Sequence, residues 1–219
     1  DERRTTQDMD TMVKGIDVKS NKLMKIMNEI MNIDGFDGIN FEITRLNDIR
    51  IQDRYGEIRL ALLGVKEELR VNLKIDITTK DPIIPREINF KYKSMFDNSY
   101  IDIMAFSKES IIAEKFETLL EDTESDTRAK DFYDLYMLMN DKIDYDNLRK
   151  AIISTLKRRE REYLLDEILE RFEIIKNSNI LERNWKNYQR GHIYSKGIDY
   201  KDIIMKINII VDIVVKIPN

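Results

Sequence analysis

The sequence contains no cysteine, which excludes disulfide bonds and cysteine-ligated zinc sites. It contains one histidine, His192, so a metal site built from several histidines of this chain is also excluded. Only 3 prolines and 7 glycines occur among 219 residues, which leaves little sequence for loops and favours long helices. Because a chain without cysteine is compatible with a reducing compartment, we expect a cytoplasmic protein.

The sequence also lacks a strong charge of one sign and a long uninterrupted apolar run. Its formal net charge is -4, so nothing global indicates nucleic-acid binding, although net charge does not exclude a local basic groove. The longest apolar run, residues 202–217, is interrupted by Lys206, Asp212 and Lys216 and does not predict a membrane span. With 42% hydrophobic and 36% charged residues, the composition predicts a folded chain.

The most informative stretch is residues 111–139, which predicts two helices joined by a short polar loop. Lys115 lies on the first helix, while Asp131 and Asp134 are three residues apart on the second and therefore share a face. Arg128 is also placed on the second helix, and Ser107, or alternatively Ser110, is the candidate N-cap of the first. A simple ion-pair lattice between two packed helices explains these charges equally well. The opposite face of the second helix is predicted to be core: Phe132, Leu135, Tyr136 and Met139.

The first residues contain two aspartates at alternating positions, in the segment RRTTQDMD of residues 3–10. If this segment is extended, Asp8 and Asp10 point to the same face and could hold a divalent cation through carboxylate oxygens. A single D-x-D pair is a weak signal, because such pairs also occur as helix caps and solvated turns. A helix over residues 17–32 is predicted to follow.

Three segments near residues 39–44, 57–62 and 70–78 alternate apolar and polar residues, which predicts a mainly antiparallel sheet with one buried face. Asp76 lies on the polar face of the third strand, where Asp8, Asp10 and Asp76 could together hold one or two Mg²⁺ ions. A solvated aspartate near Lys74 is the alternative. Two short strands are predicted at 88–92 and 100–104, and helices at 144–158, 160–176, 178–190 and 199–216.

Three motifs together resemble the AbiEii/AbiGii toxin family, whose members are nucleotidyltransferases of toxin–antitoxin and phage-defence (abortive infection) systems. They are R-R-T-T-x-D-x-D at residues 3–10, L-K-I-D-I-T at 73–78, and A-E-K at 113–115 followed by R-x-K-D-F-Y-D-L-Y at 128–136. The resemblance implies an α+β protein with a mixed or antiparallel nucleotidyltransferase-fold sheet over residues 1–106 and a helical C-terminal domain over 107–219. In the family a glycine-containing turn that holds the triphosphate precedes the first motif. That turn is not in this sequence, so we expect an N-terminally incomplete nucleotidyltransferase, and the resemblance leaves open whether it is active without the turn.

The resemblance also implies roles for individual residues. Lys115 would contact nucleotide phosphates, and Asp131 would act as a base on the acceptor hydroxyl or orient Lys115. Asp8, Asp10 and Asp76 would be catalytic Mg²⁺ ligands. The residues implied to support substrate binding are Arg4, Thr6, Arg128 and Asp134. The implied partners are an NTP, an RNA acceptor, particularly the acceptor end of tRNA, and a cognate antitoxin.

Two other functions remain open from the sequence. A nucleotidyltransferase of this fold could modify a protein or a small molecule such as an aminoglycoside. A degenerate family member could act as a binding module without catalysis. Outside the motifs, the basic cluster at residues 157–161 is interpreted as a solvated helix face or an RNA contact. Trp185 and Tyr188 are predicted to pack against the helices, and His192 is assigned no role.

Overall fold

The computed structural model describes residues 8–14, 20–33, 35, 38–48, 58–79, 81–94, 98–123 and 128–215, except for the side chains of residues 8, 20, 47 and 48. The predicted substrate-binding residues Arg4 and Thr6 lie outside these ranges. The chain divides into two compact units, one ending at Asp81 and the other beginning at Pro82. The boundary predicted between residues 106 and 107 divides strands from helices along the sequence and does not coincide with this division into compact units. The predicted domain assignment stays a prediction.

Among the residues that the structure describes, the first unit contains a four-stranded sheet and one helix. Its elements are β1 (Asp8–Met12), α1 (Ser20–Met31), β2 (Asn40–Asp48), β3 (Ile58–Lys66) and β4 (Leu69–Thr78). The strands lie in the order β1-β4-β3-β2, with β1 parallel to β4 and the other neighbours antiparallel. The sheet is therefore mixed, as the resemblance implied, and the aspartates of the D-x-D pair lie on a strand.

The two faces of this sheet differ as the alternating sequence predicts. In β3, Ile58, Leu60 and Leu62 are buried in one apolar cluster with Leu23 and Met27 of α1. Arg59 and Ala61 point to the other face, because successive side chains of a strand alternate. Ile30, near the end of α1, is 48% exposed and does not share the burial of Leu23 and Met27.

The second unit combines a β-hairpin with a helical bundle. Its elements are β5 (Ile88–Lys93), β6 (Tyr100–Ala105), α2 (Lys108–Glu121), α3 (Ala129–Leu138), α4 (Tyr145–Arg158), α5 (Leu164–Asn177), α6 (Asn179–Gly191) and α7 (Tyr200–Val215). The hairpin is antiparallel, with Ile88 opposite Ala105. Each predicted helix is confirmed, but α5 begins at Leu164 and not at 160. The chain turns between α4 and α5, and Glu160 there has a positive φ of 54°.

The helices enclose one continuous apolar core to which all six contribute. Phe116 of α2 and Leu135 of α3 are fully buried, as is the predicted core residue Phe132 at 1% exposure. Trp185 is also buried and donates its Nε1–H to the carbonyl of Ile198 at 2.9 Å. Its predicted packing role is therefore confirmed.

Within the described ranges, no helix has both the length and the apolar character that a membrane span requires.

Candidate active site

The side chain of Lys115 lies between two carboxylates of the neighbouring helix. Its Nζ is 3.1 Å from Oδ1 of Asp131 and 2.7 Å from Oδ2 of Asp134. The three side chains are largely withdrawn from solvent, with exposures of 22% for Lys115, 9% for Asp131 and 17% for Asp134. The helix spacing predicted that the two aspartates share a face, and the structure confirms this.

Local sequence explains how α2 and α3 present these groups. The hydroxyl of Ser107 accepts a hydrogen bond from the backbone N–H of Ser110 at 3.2 Å, which caps α2 and confirms the predicted N-cap. On α3, Phe132 and Leu135 turn into the core and fix the rotation of the helix. Asp131 and Asp134 consequently project toward α2, where Lys115 can reach both.

Arg128, immediately before α3, extends the charged cluster. Its Nη1 is 3.5 Å from Asp131 Oδ2, and its Nη2 is 3.1 Å from Asp122 Oδ2. Its Nε is buried and has no hydrogen-bond partner among the described residues. Two cations and three carboxylates thus form one connected group at the end of α2 and the start of α3.

The electrostatic environment keeps Lys115 charged. Burial by itself lowers the pKa of Lys115, but attraction and hydrogen bonding to Asp134 and Asp131 outweigh that effect, and the pKa is raised above 10.5. At neutral pH the side chain is therefore an ammonium ion. It can stabilise developing negative charge on a phosphate, and it is unsuited to act as a general base.

A second charged group lies in the sheet unit, on the face opposite α1. Asp10 of β1 is the direct register partner of Asp76 of β4, and Asp76 is the direct partner of Arg59 on β3. Neighbouring strands are about 4.8 Å apart, so the three residues form one row across the sheet. We call Asp10, Asp76 and Arg59 the carboxylate row. Asp8 pairs with Lys74 in the same register, two positions along β1.

Arg59 binds Asp76 through both carboxylate oxygens. Its Nε is 2.7 Å from Oδ1 and its Nη2 is 2.6 Å from Oδ2, the fork geometry in which a guanidinium matches a carboxylate. The side chain of Asp76 is 11% exposed and that of Arg59 is 40% exposed. The alternative of a solvated Asp76 near Lys74 is therefore wrong: its partner is Arg59.

The carboxylate row meets some of the requirements for binding a hard divalent cation. Asp10 and Asp76 supply carboxylate oxygens from adjacent strands, which is the donor type that Mg²⁺ prefers. However, both oxygens of Asp76 already accept hydrogen bonds from Arg59. Among the described side chains, no group of three histidines, aspartates or glutamates lies close enough to hold a metal ion. Since the side chain of Asp8 is not described, the three-aspartate site stays a prediction.

A third ionic group, absent from the sequence predictions, lies on α2 two residues after Lys115. Glu117 is fully buried, with Arg159 Nη1 2.7 Å from Oε2 and Arg161 bound to Oε1. The interpretation of residues 157–161 as a solvated helix face is therefore wrong for these two arginines. A glutamate in an apolar helix stretch indicates a buried ion pair, but only the fold identifies its partners.

The predicted site residues thus fall into two described groups. Lys115, Asp131, Asp134 and Arg128 are in direct contact in the helical unit. Asp10 and Asp76 are neighbours in the sheet unit. Sequence analysis missed Arg59, although its polar position in an alternating strand placed it on the face of Asp76. Which residue it opposes depends on strand register, which periodicity alone does not determine.

Comparison with known proteins identifies the family. Residues 1–204 match the family described as "Nucleotidyl transferase AbiEii toxin, Type IV TA system". No curated protein matches the sequence. Two solved Helicobacter pylori structures are similar: a protein described as an inferred nucleotidyltransferase, and the protein JHP933. The first is 16% identical with a TM-score of 0.42 and covers 97% of this chain and 79% of that one. The second is 15% identical with a TM-score of 0.39, over 97% and 77%.

The two structural similarities are too weak to support an argument about the fold, so the assignment rests on the family match, which spans most of the sequence. The motifs around Asp76, Lys115 and Asp131 lie within the matched residues. The chain belongs to the AbiEii nucleotidyl transferase toxin family of type IV toxin–antitoxin systems.

Proposed function

We propose that the protein is a Mg²⁺-dependent toxin that transfers a nucleotide from an NTP to RNA, with the acceptor end of tRNA as the target. The observation that carries this proposal is the position of Lys115, a partly buried ammonium ion held between Asp131 and Asp134. Such a group is organised before substrate arrives, which is the condition under which a charge contributes most to transition-state stabilisation.

Lys115 would bind the phosphates of the nucleotide. Nucleotidyl transfer builds negative charge on the phosphoryl oxygens and on the leaving pyrophosphate, and a compact ammonium ion stabilises that charge. Asp134 holds Lys115 at 2.7 Å, so its role is to position the ammonium group.

Asp131 supports one of two roles. Its Oδ1 is 3.1 Å from Nζ of Lys115, and its Oδ2 is 3.5 Å from Nη1 of Arg128, so it contacts two cations. It would accept the proton of the attacking hydroxyl, or it would orient Lys115 as Asp134 does. These roles differ in the loss of transfer rate expected from Asp131→Asn.

The carboxylate row would supply the ligands for Mg²⁺, with Asp10 and Asp76 as the described ligands and Asp8 as the third. When bound, Mg²⁺ neutralises the triphosphate and activates the acceptor hydroxyl. The chain's own contribution is to hold two carboxylates on adjacent strands of a stiff sheet, where their separation is set by backbone hydrogen bonds.

The test is transfer of each radiolabelled NTP to total tRNA by the full-length protein, with Lys115→Ala beside it. We expect label on tRNA that disappears in the variant. Protein and aminoglycoside pools serve as alternative acceptors, and label in those pools alone would reject the RNA target. No label in any pool would favour a non-catalytic family member. A cognate antitoxin, expected from the family, should suppress the labelling when it is co-expressed.

A further inference from the structure

The fork between Arg59 and Asp76 conflicts with the proposed metal site unless Arg59 moves. A carboxylate that accepts two hydrogen bonds from one guanidinium, at 2.6 and 2.7 Å, has its most accessible oxygen lone pairs engaged. A divalent cation needs those lone pairs at about 2.0–2.6 Å. The two cations therefore compete for one carboxylate.

We propose that Arg59 is an exchangeable counter-ion: a divalent cation displaces it from Asp76, and the released guanidinium then binds the phosphates of the NTP. The inference rests on the proposed function, because it assumes that Asp10 and Asp76 hold the metal. Arg59 is assigned a substrate-binding role in the metal-bound protein and a competing role in the metal-free protein.

The geometry favours exchange over a permanent pair. The side chain of Arg59 is 40% exposed, so the arginine is the more solvent-accessible member of the pair. Asp76 is only 11% exposed and lies on a central strand of the described sheet, so the carboxylate is the fixed member of the pair. The mobile partner is the arginine.

Charge balance explains where the arginine would go. Replacing a monovalent guanidinium by a divalent cation leaves Arg59 on the same sheet face as a metal that attracts a triphosphate. Phosphate oxygens accept the same fork of hydrogen bonds as a carboxylate. Both Asp76 and Arg59 therefore keep an oppositely charged partner in each state, and no buried charge is left alone.

The proposal predicts effects of opposite sign for one substitution. Arg59→Gln removes the competitor, so Mn²⁺ alone should bind about ten- to a hundredfold more tightly, the scale of a charge-assisted bidentate pair. The same variant should bind ATP in the presence of saturating Mn²⁺ about tenfold more weakly, because the phosphate partner is gone. A residue that merely maintains the fold would lower both affinities together.

The experiment measures Mn²⁺ binding by electron paramagnetic resonance, and ATP binding at saturating Mn²⁺ by calorimetry, on the full-length protein. Arg59→Lys keeps the charge without the fork and should give intermediate values in both titrations. Arg70→Gln is the matched control, because Arg70 lies on the same face of β4 as Asp76 but six residues away, about 20 Å along the strand, and loses the same charge. It should change either affinity by less than about threefold, as for a charge beyond the screening length. Urea unfolding of each variant confirms that it is folded.

Three outcomes would decide the matter. Tighter Mn²⁺ binding and weaker ATP binding by Arg59→Gln would support the exchange, provided that the tighter Mn²⁺ binding is lost when Asp76→Asn is added. Unchanged or weaker Mn²⁺ binding, in a protein that binds Mn²⁺ and loses it on Asp10→Asn, would overturn the exchange and leave the proposed metal site intact. Absence of Mn²⁺ binding in the natural protein and in Arg59→Gln alike would overturn both.

Discussion

Two faces of the same helix carry charged groups of opposite character. On one face of α2, Lys115 pairs with Asp131 and Asp134 of α3 and is 22% exposed. On another face, Glu117 pairs with Arg159 and Arg161 from the turn after α4 and is fully buried. The first group has a cation between two carboxylates, and the second has a carboxylate between two cations.

The difference separates a group that a substrate could reach from a group that contributes to stability. Glu117 has no exposed surface, so no substrate can reach it, and its two arginines tie α2 to the turn between α4 and α5. Arg171 adds to this attachment by donating from Nη1 to the carbonyl of Leu120 at 2.6 Å, near the end of α2. Lys115 keeps an exposed fraction through which a phosphate could approach. Substitutions on the two faces should therefore separate activity from stability.

The largest effect should be on activity, from Lys115→Ala. We expect the rate of nucleotide transfer to fall about 10²–10³-fold, the usual cost of removing one preorganised charge from a transition state. Lys130→Ala is the matched control, because Lys130 is an exposed lysine of the same motif and should keep the natural rate. Equal losses in the two variants would contradict a specific role for Lys115.

The largest effect on stability should come from Glu117→Ala. Removing this carboxylate leaves Arg159 and Arg161 partly buried without their partner, and the free energy of unfolding should fall by about 3 kcal/mol. Urea denaturation measures the change. Glu182→Ala, which breaks the exposed pair with Lys186, should cost less than about 0.5 kcal/mol. If Glu117→Ala proved no more destabilising than this control, the stabilising role of its face would be rejected.

A smaller effect should distinguish the two aspartates that hold Lys115. If Asp131 is the base, Asp131→Asn should lower the transfer rate about 100-fold, because the amide cannot accept the proton of the attacking hydroxyl. Asp134→Asn should cost about tenfold, because it loosens Lys115 without removing a proton acceptor. Initial transfer rates of both variants at saturating NTP supply the comparison. Similar losses would assign both residues to positioning.

The smallest effect should be seen in the pH dependence of Lys115. Its pKa is raised in the folded state, so its contribution to stability is complete below the unfolded value of 10.5 and is lost as the pH rises through the higher folded value. The difference in unfolding free energy between the natural protein and Lys115→Met should therefore stay constant from pH 6 to 10 and shrink above that. A change near neutral pH would mean that another group titrates in the cluster.

Much of this organisation follows from the sequence, and the exceptions have a physical cause. Helical periodicity predicted the shared face of Asp131 and Asp134, and strand alternation predicted the polar face that carries Asp76. Periodicity reports only which side of an element a residue occupies. The contacts of Arg59 with Asp76 and of Arg161 with Glu117 depend on register and packing between distant segments, which no local pattern encodes.

The strand order of the sheet bears on when the proposed metal ligands come together. In the described sheet β1 lies at an edge and is hydrogen-bonded to β4 alone, yet it carries Asp10. The hairpins β2–β3–β4 can form from local contacts, whereas docking of β1 closes a long loop and is expected to come late in folding. The proposed metal site would then be completed at the last step of folding, and detachment of the five residues of β1 would suffice to take it apart.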